Sequence, residues 1–463
     1  MLQLFDSLSA QVRELRLRDE GRASIYLCGP TVYDLPHLGH GRHALVWDVL
    51  RRWLVFSGLE VDFVSNVTDI DDKIIERAAA EHVSEAELST REENEWWRAM
   101  AALGVAPPNH APHATAYVEE MVAAIVAMLD SGAAYELSDG VYFDTSRVGD
   151  YGALSGQSLD SLRAGARVEP NEAKRSPLDF ALWKRAKEAE PSWEAPFGAG
   201  RPGWHTECVV MSLALLGEGF DLHCGGLDLK FPHHENERAQ AVVLGQRFAQ
   251  HWAHHGWVMV GEEKMSKSLG NFTSLTDLLG QTDPRAYRLL VLRSHYRSPL
   301  EVTPETVADA ERALERLDAL ARRFSLPALA GERLELASDF DFSGEAGVLR
   351  ARVSSAIEDD LDTAQALAKL FDATSQANVL ADRGNPRGAA QLARAIGALC
   401  AGMGLRLHAS DDEVDETSAD LVSEREAARA AQDYARADAL REELSRRGWI
   451  IEDTPEGPAM RRA

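Results

Sequence analysis

Long apolar runs, a secretory leader and low-complexity segments are all missing from this 463-residue sequence. A membrane-spanning helix needs roughly 18 consecutive apolar residues, and no stretch of the chain provides them. The N-terminus turns polar at Asp6, so it lacks the charged and then apolar pattern of a secretory signal. These absences predict a cytoplasmic protein without membrane association, and the length predicts about three domains.

Cysteine is also scarce, with four in the whole chain: Cys28, Cys208, Cys224 and Cys400. They are widely scattered, whereas a disulfide framework concentrates its cysteines in a short secreted chain. In a cytosolic protein, scattered cysteines indicate metal ligands or reactive thiols. The sequence therefore excludes the class of small disulfide-stabilised proteins.

Lysine is rare as well, because only eight of the 49 basic residues are lysines. Two of them nevertheless fall in one pentapeptide, Lys264-Met265-Ser266-Lys267-Ser268, which follows a strand-like run at 257–260. Two compact ammonium groups on a Ser- and Gly-flanked loop can close on a polyphosphate and neutralise charge as it develops. Taken alone, the pentapeptide is equally consistent with a solvated surface loop.

A histidine pair far upstream decides between these interpretations. Pro36-His37-Leu38-Gly39-His40 follows a strand-like run at 23–28 and precedes an amphipathic helix. The two imidazoles therefore lie at a helix N-terminus, where free backbone N–H groups and the helix dipole favour phosphate. Together, the histidine pair and the lysine pair predict the two halves of one ATP site.

The order of predicted elements indicates an α/β fold. Strands and helices alternate from residue 22 to about 120, with a second strand at 61–64, and the alternation returns over 203–260. Such alternation predicts a parallel sheet with ligands at the carboxyl ends of its strands, where Cys28 and Thr68 lie. Glycine, proline and charged turns interrupt the pattern over 121–200 and indicate an insertion.

The rest of the chain is predicted to be mainly helical. Apolar residues recur at steps of three and four from Val307 onward, which predicts a helix bundle. An acidic linker at 408–420 precedes a terminal region with one predicted helix over 421–447, Gly448 as its C-cap and a strand at 449–451.

The net charge of −25 is unfavourable for a nucleic-acid partner, because phosphate binding depends largely on lysine and arginine. Residues 421–463, however, carry eight arginines against nine acidic residues, a local charge of only −1. The overall acidity therefore argues against tight non-specific RNA binding and leaves a shaped, selective contact possible.

A possible metal site is distributed over three segments. Pro232-His233-His234-Glu235-Asn236-Glu237, if helical, places His233 and Glu237 on one face at i, i+4. Cys28, at a strand end, and Cys208 offer two thiolates, and the four ligands together suit zinc. Because the cysteines are 180 residues apart, spacing alone leaves open the alternative of buried free thiols and a capping histidine.

Five segments resemble the cysteinyl-tRNA synthetases, a family of class I aminoacyl-tRNA synthetases, and occur in that family's order. They are Cys28 through Tyr33, Asn66 through Ile74, Gly203-Trp204-His205 with Glu207-Cys208, Phe231 through Glu237, and Lys264 through Asn271. The similarity runs from Met1 to nearly the last residue. It implies that L-cysteine is activated with ATP to cysteinyl-adenylate and transferred to the 3′ end of tRNA(Cys). No editing domain is expected.

The resemblance also implies a role for individual residues. One zinc per chain would bind the substrate thiolate and be held by Cys28, Cys208, His233 and Glu237. The amino-acid pocket would consist of Cys28, Gly29, Thr68, Trp204 and His223. The catalytic groups would be His37, His40, Lys264 and Lys267. ATP, with Mg²⁺, would be bound by Pro30, Thr31, His37, Gly39, His40, Lys264, Ser266 and Lys267.

The same resemblance implies a domain order and a monomer. The expected segments are a Rossmann-like catalytic domain in two halves (1–120 and 201–270), a connective insertion (121–200), a stem-contact region (271–305), a helical bundle (306–407), the acidic linker (408–420) and an anticodon-binding module (421–463). The candidate anticodon contacts are Arg429, Tyr434, Asp438 and Asp453. The family usually has tryptophan near its end, where this chain has Pro458-Ala459-Met460-Arg461, so this part of the contact departs from the family's pattern.

One residue of the pocket region departs from the family's pattern. The family more often has glycine where this chain has Cys224, a third thiol that either competes for the metal or packs in the core; packing is favoured.

There are two rival functions. The nearest rival family is the cysteine ligase of mycothiol biosynthesis, which joins cysteine to an amino sugar. The Glu-Asn-Glu at 235–237 and the additional module from residue 421 argue against that ligase. The intact His, Lys and metal positions argue against a catalytically inactive RNA-binding or regulatory paralogue.

Overall fold

The structure is a computed structural model of the chain, and it describes residues 2–156, 173–187, 190–259, 274–326, 340–408, 416–431, 433–447, 449–454 and 457–462. Its strands are β1 (Gln3–Asp6), β2 (Gln11–Glu14), β3 (Arg22–Leu27), β4 (Glu60–Ser65), β5 (Ala134–Leu137), β6 (Gly140–Phe143), β7 (Phe180–Arg185), β8 (Gly200–Pro202), β9 (Leu222–Gly226), β10 (His251–His255), β11 (Val258–Met259), β12 (Leu300–Glu301), β13 (Trp449–Thr454) and β14 (Gly457–Arg462). Its α-helices are α1 (Leu38–Phe56), α2 (Asp72–Glu81), α3 (Glu85–Ala102), α4 (Val118–Asp130), α5 (Trp204–Leu216), α6 (Glu235–Val243), α7 (Leu275–Leu279), α8 (Pro284–Leu292), α9 (Pro304–Arg323), α10 (Glu345–Ile357), α11 (Thr363–Asp382), α12 (Pro386–Gly402), α13 (Glu416–Ala430) and α14 (Tyr434–Arg446).

A parallel sheet of four strands forms the centre of the N-terminal part, in the spatial order β10, β9, β3, β4. Strand β3 is buried at every position after its first, as expected of a central strand covered on both faces. Helix α1 follows β3 and leads to the neighbouring strand β4, which is the usual crossover between parallel strands. The predicted α/β fold with a parallel sheet is confirmed.

The edge strand β10 lies before the segment at 257–260 in which a strand was predicted. The predicted strand at 257–260 is reduced to β11, two residues that pair with β12, and Val260 lies outside the described residues. The sheet strand is β10, whose sequence His-Trp-Ala-His-His lacks an apolar strand pattern although all five residues are buried. Two of its histidines have polar partners inside the protein. His254 Nδ1 lies 2.7 Å from Ser7 Oγ, and His255 Nε2 lies 3.0 Å from His43 Nδ1. These partners allow imidazoles to occupy a buried strand.

The insertion between α4 and α5 has a sheet of its own. Strands β5, β6, β7 and β8 pair antiparallel in that order. Phe143, Phe180 and Trp183 belong to a separate apolar cluster beneath them. The predicted short strand at 141–143 is part of β6. The described part of the insertion is therefore a small antiparallel sheet with an apolar cluster of its own.

Helices α9 to α12 form the predicted bundle. The apolar stripe of α9 is buried, including Leu314, Leu317 and Leu320, and α10, α11 and α12 pack against one another. Cys400 is buried among these helices and burial raises its pKa to about 12, so it behaves as a core residue. Among the helices of the described ranges, none has the length and apolar character to cross a membrane.

The terminal region contains two helices where the sequence analysis predicted one over 421–447. Helix α13 already begins at Glu416 and ends at Ala430, and α14 begins at Tyr434. The Asp433 side chain accepts a hydrogen bond from the backbone N–H of Arg436, and this N-cap starts the second helix. The predicted strand at 449–451 is the first part of β13, which pairs antiparallel with β14. Gly448, the predicted C-cap, lies outside the described residues.

A buried ion network joins the parallel-sheet part to the helices after it. Asp48 of α1 accepts hydrogen bonds from Arg52 Nε at 2.8 Å and from Arg288 Nη1, on α8, at 2.6 Å. Arg288 also donates to the Leu103 and Met403 carbonyl oxygens, the second of which follows α12. All three ionic side chains are nearly inaccessible to solvent. The network therefore fixes α1, α8 and the end of the bundle together.

Candidate metal and nucleotide site

The four predicted metal ligands come from three elements that meet at the carboxyl edge of the parallel sheet. Cys28 directly follows β3, Cys208 lies in the second turn of α5, and Glu237 lies in the first turn of α6. His233 belongs to a short π-helical turn, 230–234, that leads directly into α6. The parallel topology brings Cys28 and Cys208 together despite their separation along the chain.

These four side chains form one compact buried cluster. Cys28 Sγ lies 3.6 Å from Cys208 Sγ and 3.6 Å from Glu237 Oε1. His233 Nε2 lies 3.5 Å from Cys208 Sγ and 3.0 Å from Glu237 Oε1. All four candidate ligand atoms lie within 4.8 Å of one another, and all four residues are buried. The predicted i, i+4 relation of His233 and Glu237 is present.

Neighbouring side chains orient the cluster. The second ring nitrogen of His233, Nδ1, lies 2.9 Å from His205 Nδ1, and the Trp204 ring stacks on the His233 ring with centroids 4.0 Å apart. The second carboxylate oxygen of Glu237 lies 2.7 Å from His223 Nε2. Outer partners of this kind fix the orientation of metal ligands and raise their basicity. The sequence analysis missed His205, although it stands in the motif that contains Trp204 and Cys208.

A second group of four side chains overlaps the first. Cys28, His223, His234 and Glu237 also bring one ligand atom each within 4.8 Å of one another. His234 Nε2 lies 3.3 Å from Cys28 Sγ, and its Nδ1 lies 2.8 Å from His254 Nε2. The sequence analysis did not assign His234 a role. Its position beside His233 was the available signal, but neighbouring residues of a regular helix point in different directions.

The charged groups around Glu237 stabilise one another. Burial acts to raise the pKa of Glu237, but His223 and His233 lower it to about 2. Burial acts to lower the pKa of His233, but Glu237 and Cys208 raise it to about 10. Burial also acts to raise the pKa of Cys208, yet the hydrogen bond with Cys28 and the adjacent His233 lower it to about 6. The protonated imidazole thus supplies positive charge to a carboxylate and a thiolate.

Cys28 remains a thiol under these conditions, because burial and the neighbouring Cys208 and Glu237 raise its pKa. The cluster therefore offers two sulfurs, one imidazole and one carboxylate, which is a donor set that suits a tetrahedral zinc ion. A divalent cation would replace the protons on His233 and Cys28. The donor chemistry and the burial of the cluster fit a metal ion.

The third thiol near this edge, Cys224, packs in the core. It lies in β9, is fully inaccessible to solvent and belongs to the main apolar cluster. Its backbone oxygen accepts a hydrogen bond from the Cys28 N–H at 3.4 Å, whereas neither described metal-capable group includes its sulfur. Burial raises the pKa of its thiol, which keeps it neutral. Packing, the favoured interpretation, agrees with this position.

The predicted amino-acid pocket residues divide into two sets. Cys28, Gly29 and Trp204 line a cavity beside the cluster, whereas Thr68 and His223 are buried and do not line it. Thr68 Oγ1 donates to Glu207 Oε2 at 2.8 Å, and the neighbouring Asn66 accepts the Gly29 N–H at 2.9 Å. A Cβ atom on Gly29 would lie 1.6 Å from the Asn66 carbonyl oxygen, so only glycine fits there. Asn66 and Glu207 are supporting residues that the sequence analysis missed.

His37 and His40 form the N-terminal cap of α1. Their rings stack with centroids 3.6 Å apart, and each ring Nδ1 accepts the backbone N–H of the other residue. This reciprocal cap requires both histidines to carry their proton on Nε2, which leaves two N–H donors for a ligand. Burial lowers the pKa of His37 and lowers that of His40 to about 3, so both imidazoles are neutral donors at pH 7.

One cavity of about 520 Å³ joins the metal cluster to the histidine cap. Its wall contains Cys28 and Trp204 together with His37 and His40. We call this space the central cavity. Its wall also contains Pro30, Thr31, Gly39 and several residues that the sequence analysis did not assign to the site: Tyr33, His43, Lys73, Trp96, Asp228, His255 and Trp257. Lys264, Ser266 and Lys267, predicted to complete the ATP site, lie outside the described residues.

Comparison with known proteins identifies this arrangement. Residues 14–312 match the family model of the tRNA synthetases class I (C) catalytic domain, 352–408 match the DALR domain, and 411–460 match the Cysteinyl-tRNA ligase anticodon binding domain. The cysteine–tRNA ligase of Halorhodospira halophila is 44% identical, and that of Chromobacterium violaceum is 42% identical. Both alignments cover 100% of this chain and 100% of the relative. The chain belongs to the cysteine–tRNA ligase family.

Solved structures support the same fold at lower sequence identity. A methionyl-tRNA synthetase from Mycobacterium tuberculosis in complex with methionyl-adenylate is 17% identical, with a TM-score of 0.57. That alignment covers 82% of this chain and 89% of the other. A leucine enzyme from Agrobacterium radiobacter, solved as a LeuRS–tRNA–LeuAMS ternary complex, has a TM-score of 0.59 at 12% identity, over 84% of this chain and 85% of its own. The class I synthetase fold is thereby confirmed. The family model and the relatives described above show that the family is one of ATP-using ligases.

The family's anticodon-binding domain corresponds to the terminal helices and hairpin. Arg429 lies in the last turn of α13, 3.7 Å from Glu426, and its side chain is 39% exposed. Tyr434 begins α14 and is 64% exposed, and Asp438 lies exposed on the same helix. Asp453 lies in β13. Three of the four candidate tRNA contacts are thus accessible in the described part of this module.

Proposed function

We propose that this protein is a cysteine–tRNA ligase that activates L-cysteine with ATP and transfers the cysteinyl group to the 3′ end of tRNA(Cys). The observation that carries the proposal is the central cavity, which is lined by the cluster residue Cys28 and by His37 and His40 of the helix cap. An amino acid held at the metal cluster and a nucleotide held at the helix cap would therefore meet there. Membership of the cysteine–tRNA ligase family supports the same reaction.

The metal at the cluster is proposed to be zinc, held by Cys28, Cys208, His233 and Glu237. When bound there, zinc supplies a Lewis acid that binds a thiolate sulfur readily and an un-ionised hydroxyl poorly, which separates cysteine from serine. Apolar pockets distinguish side chains that differ by one group only roughly 10–200-fold. The sulfur-rich donor set therefore accounts for selection of cysteine without an editing domain.

The chain's own residues then orient the amino acid. Trp204 stacks on His233 and closes the side of the central cavity next to the cluster. Thr68, held by Glu207, and His223, held by Glu237, would fix the pocket behind the substrate. Because these polar groups are already hydrogen-bonded and buried, the pocket needs little rearrangement when the substrate binds.

Activation consists of attack by the cysteine carboxylate on the α-phosphate of ATP, with loss of pyrophosphate. The Nε2 donors of His37 and His40 are proposed to bind phosphate oxygens as charge develops on them, helped by the N-terminus of α1. Pro30, Thr31 and Gly39 would contact the nucleotide. Lys264, Ser266 and Lys267 would complete its binding, with Mg²⁺ accompanying ATP.

The tRNA is proposed to be bound at its anticodon by the terminal module through Arg429, Tyr434, Asp438 and Asp453. The match of residues 411–460 to the Cysteinyl-tRNA ligase anticodon binding domain supports this role and argues against the mycothiol-type ligase, whose acceptor is an amino sugar.

The localisation, oligomeric state and domain order are also proposals. The protein is proposed to be a cytoplasmic monomer. Its segments are proposed to be two catalytic halves (1–120 and 201–270), an insertion (121–200), a stem-contact region (271–305), a bundle (306–407), a linker (408–420) and the terminal module (421–463).

Two measurements on the purified protein test the proposed function. Exchange of radioactive pyrophosphate into ATP should require L-cysteine and should not be supported by L-serine. With tRNA present, acid-stable cysteinyl-tRNA should accumulate, whereas the amino sugar acceptor should remain unmodified. Cysteine-dependent exchange with transfer to the amino sugar instead of tRNA would replace the proposed acceptor, and the absence of exchange would refute the reaction itself.

A further inference from the structure

Lys73, near the start of α2, lines the central cavity and forms no ion pair with an acidic residue of the described ranges. Among the described residues that line this cavity, Lys73 is the one lysine or arginine, and Asp228 is the one aspartate or glutamate. The four other titratable nitrogen groups on the wall are the imidazoles of His37, His40, His43 and His255. A chain of phosphates that enters the cavity therefore meets one fixed cation in the described wall.

The acidic residues around Lys73 are engaged elsewhere. Asp72 pairs with Lys184 of β7 and Arg201 of β8. Asp69 accepts hydrogen bonds from the N–H and the hydroxyl of Thr115. Asp71 is the N-cap of α2 and accepts the Lys73 N–H at 3.1 Å. These carboxylates hold the start of α2 in place and leave the charge of Lys73 to the cavity.

The ammonium group of Lys73 instead rests on an aromatic ring. Its Nζ lies 5.1 Å from the centroid of Tyr33, which also lines the cavity. A cation–π contact at an exposed site is weaker than a hydrogen bond between two charged groups. A phosphate oxygen in the cavity can therefore draw the ammonium group away from the ring. The contact keeps the cation pointing at the cavity when no nucleotide is bound.

The imidazoles cannot provide this charge themselves. His37 and His40 are neutral for the reasons given above, and the positive charge of Lys73 is one of the causes of the low pKa of His40. Lys73 and the histidine cap are therefore close enough to interact electrostatically. A fixed ammonium group and two neutral N–H donors are complementary contributions to phosphate binding.

We propose that Lys73 is a phosphate-binding residue, which moves from the Tyr33 ring to contact the phosphate chain of ATP in the central cavity. This inference rests on the proposed function, since it assigns a further ligand of the ATP that the reaction consumes. It adds a cation from the sheet side of the cavity to those predicted on the 264–268 loop. No covalent step is assigned to Lys73.

The test compares the full-length variants Lys73→Met and Lys73→Arg with a matched control, Lys174→Met. Lys174 Nζ rests 5.2 Å from the Tyr142 ring centroid in the insertion, so this control removes the same kind of contact away from the cavity. Equilibrium binding of Mg-ATP and of adenosine is measured by calorimetry on each protein without an amino acid. This readout does not depend on the amino acid or acceptor of the reaction, so it separates the inference from the proposed function.

We expect Lys73→Met to weaken Mg-ATP binding by roughly tenfold, which corresponds to about 1.4 kcal/mol, and to leave adenosine binding within about twofold. Lys73→Arg should retain most of the affinity for Mg-ATP, and Lys174→Met should retain all of it. Equal losses of ATP and adenosine affinity would assign Lys73 a purely structural role and overturn the proposal. Unchanged affinity for Mg-ATP in Lys73→Met would overturn it as well.

Discussion

Cys28 Sγ and Cys208 Sγ lie 3.6 Å apart although 180 residues separate them in the chain. Cys28 is placed by the end of β3 and Cys208 by α5, which packs on that strand. The two thiols are free and buried, and they share His233 and Glu237 as neighbours. Because they lie this close together, the two cysteines can supply two of the four ligands of one metal ion. The first two predictions test that site.

Replacing Cys208 with serine should remove bound zinc and weaken L-cysteine binding at least roughly 100-fold, because a ligand sulfur is lost where even outer partners are worth about 10–100-fold. Binding of Mg-ATP should change little, since neither described metal-capable group includes His37 or His40. Zinc is measured by elemental analysis and the affinities by calorimetry. Cys224→Ala, which removes a buried thiol outside the cluster, is the control and should keep its zinc. Full zinc occupancy with unchanged cysteine affinity in Cys208→Ser would contradict the assignment.

Replacing His205 with alanine should weaken zinc binding by roughly 10–100-fold without removing a ligand. The reason is the 2.9 Å contact between the Nδ1 atoms of His205 and His233, which fixes the orientation of the ligand ring. Competition with a zinc chelator measures the affinity. His110→Ala, a substitution of a half-exposed histidine on the far side of β4, should leave it unchanged. Identical chelator curves for His205→Ala and the wild-type protein would remove His205 from the metal site.

Replacing Asp48 with asparagine should lower the free energy of unfolding by roughly 3–5 kcal/mol, because Arg52 and Arg288 then lose a buried counter-charge. The exposed Asp309→Asn, which breaks the surface pair with Arg312, should cost less than about 0.5 kcal/mol. Urea unfolding followed by fluorescence checks both values. A cost for Asp48→Asn as small as that of Asp309→Asn would show that the network does not stabilise the protein.

The same network predicts how stability depends on pH. Burial acts to raise the pKa of Asp48, but Arg52 and Arg288 lower it below the usual value. The carboxylate of a group with a lowered folded-state pKa stabilises the protein above the unfolded pKa, about 3.9 for aspartate, and this contribution disappears as the pH falls through the folded pKa. The difference in stability between wild-type protein and Asp48→Asn should therefore persist from pH 7 to pH 5 and shrink below about pH 4.

Replacing Tyr434 with alanine should raise KM for tRNA by roughly fivefold or more and leave cysteine-dependent pyrophosphate exchange unchanged. The ring is 64% exposed at the start of α14, and stacking of an unpaired base on an exposed aromatic ring is worth about 1–3 kcal/mol. Aminoacylation of wild-type tRNA and of an anticodon variant measures the effect. Unchanged aminoacylation of the wild-type tRNA would place the contact elsewhere in the terminal module or outside it.

The sequence could predict those features that depend on local pattern. The parallel sheet followed from apolar runs such as β3, and the His37–His40 cap followed from its position between a strand and a helix. Strand β10 could not be predicted because its histidines are buried through partners such as Ser7 and His43, which come from distant segments. The break between α13 and α14 depends on the cap formed by Asp433, which competes with a continuous helical pattern.

In the site as well, residues in a local pattern could be predicted, and residues placed by distant contacts could not. His233 and Glu237 were predicted from their spacing, with Cys28 and Cys208 as the available thiolates. The family resemblance then implied that these four residues hold one zinc ion. His205 and His234 were missed because their positions depend on contacts across the fold, with His233 and Cys28 respectively. The proposed role of Lys73 likewise rests on its place in the cavity wall, which no local pattern indicates. The periodicity of a sequence does not indicate contacts between residues that are distant in the chain.

X-ray absorption at the zinc edge of the purified protein tests whether the buried group of Cys28, Cys208, His233 and Glu237 holds zinc and selects cysteine by its sulfur. We expect a spectrum with two sulfur and two nitrogen or oxygen neighbours, which gains one sulfur neighbour on addition of L-cysteine and none on addition of L-serine. A protein that contains no zinc, or a zinc spectrum that L-cysteine does not change, would contradict this assignment.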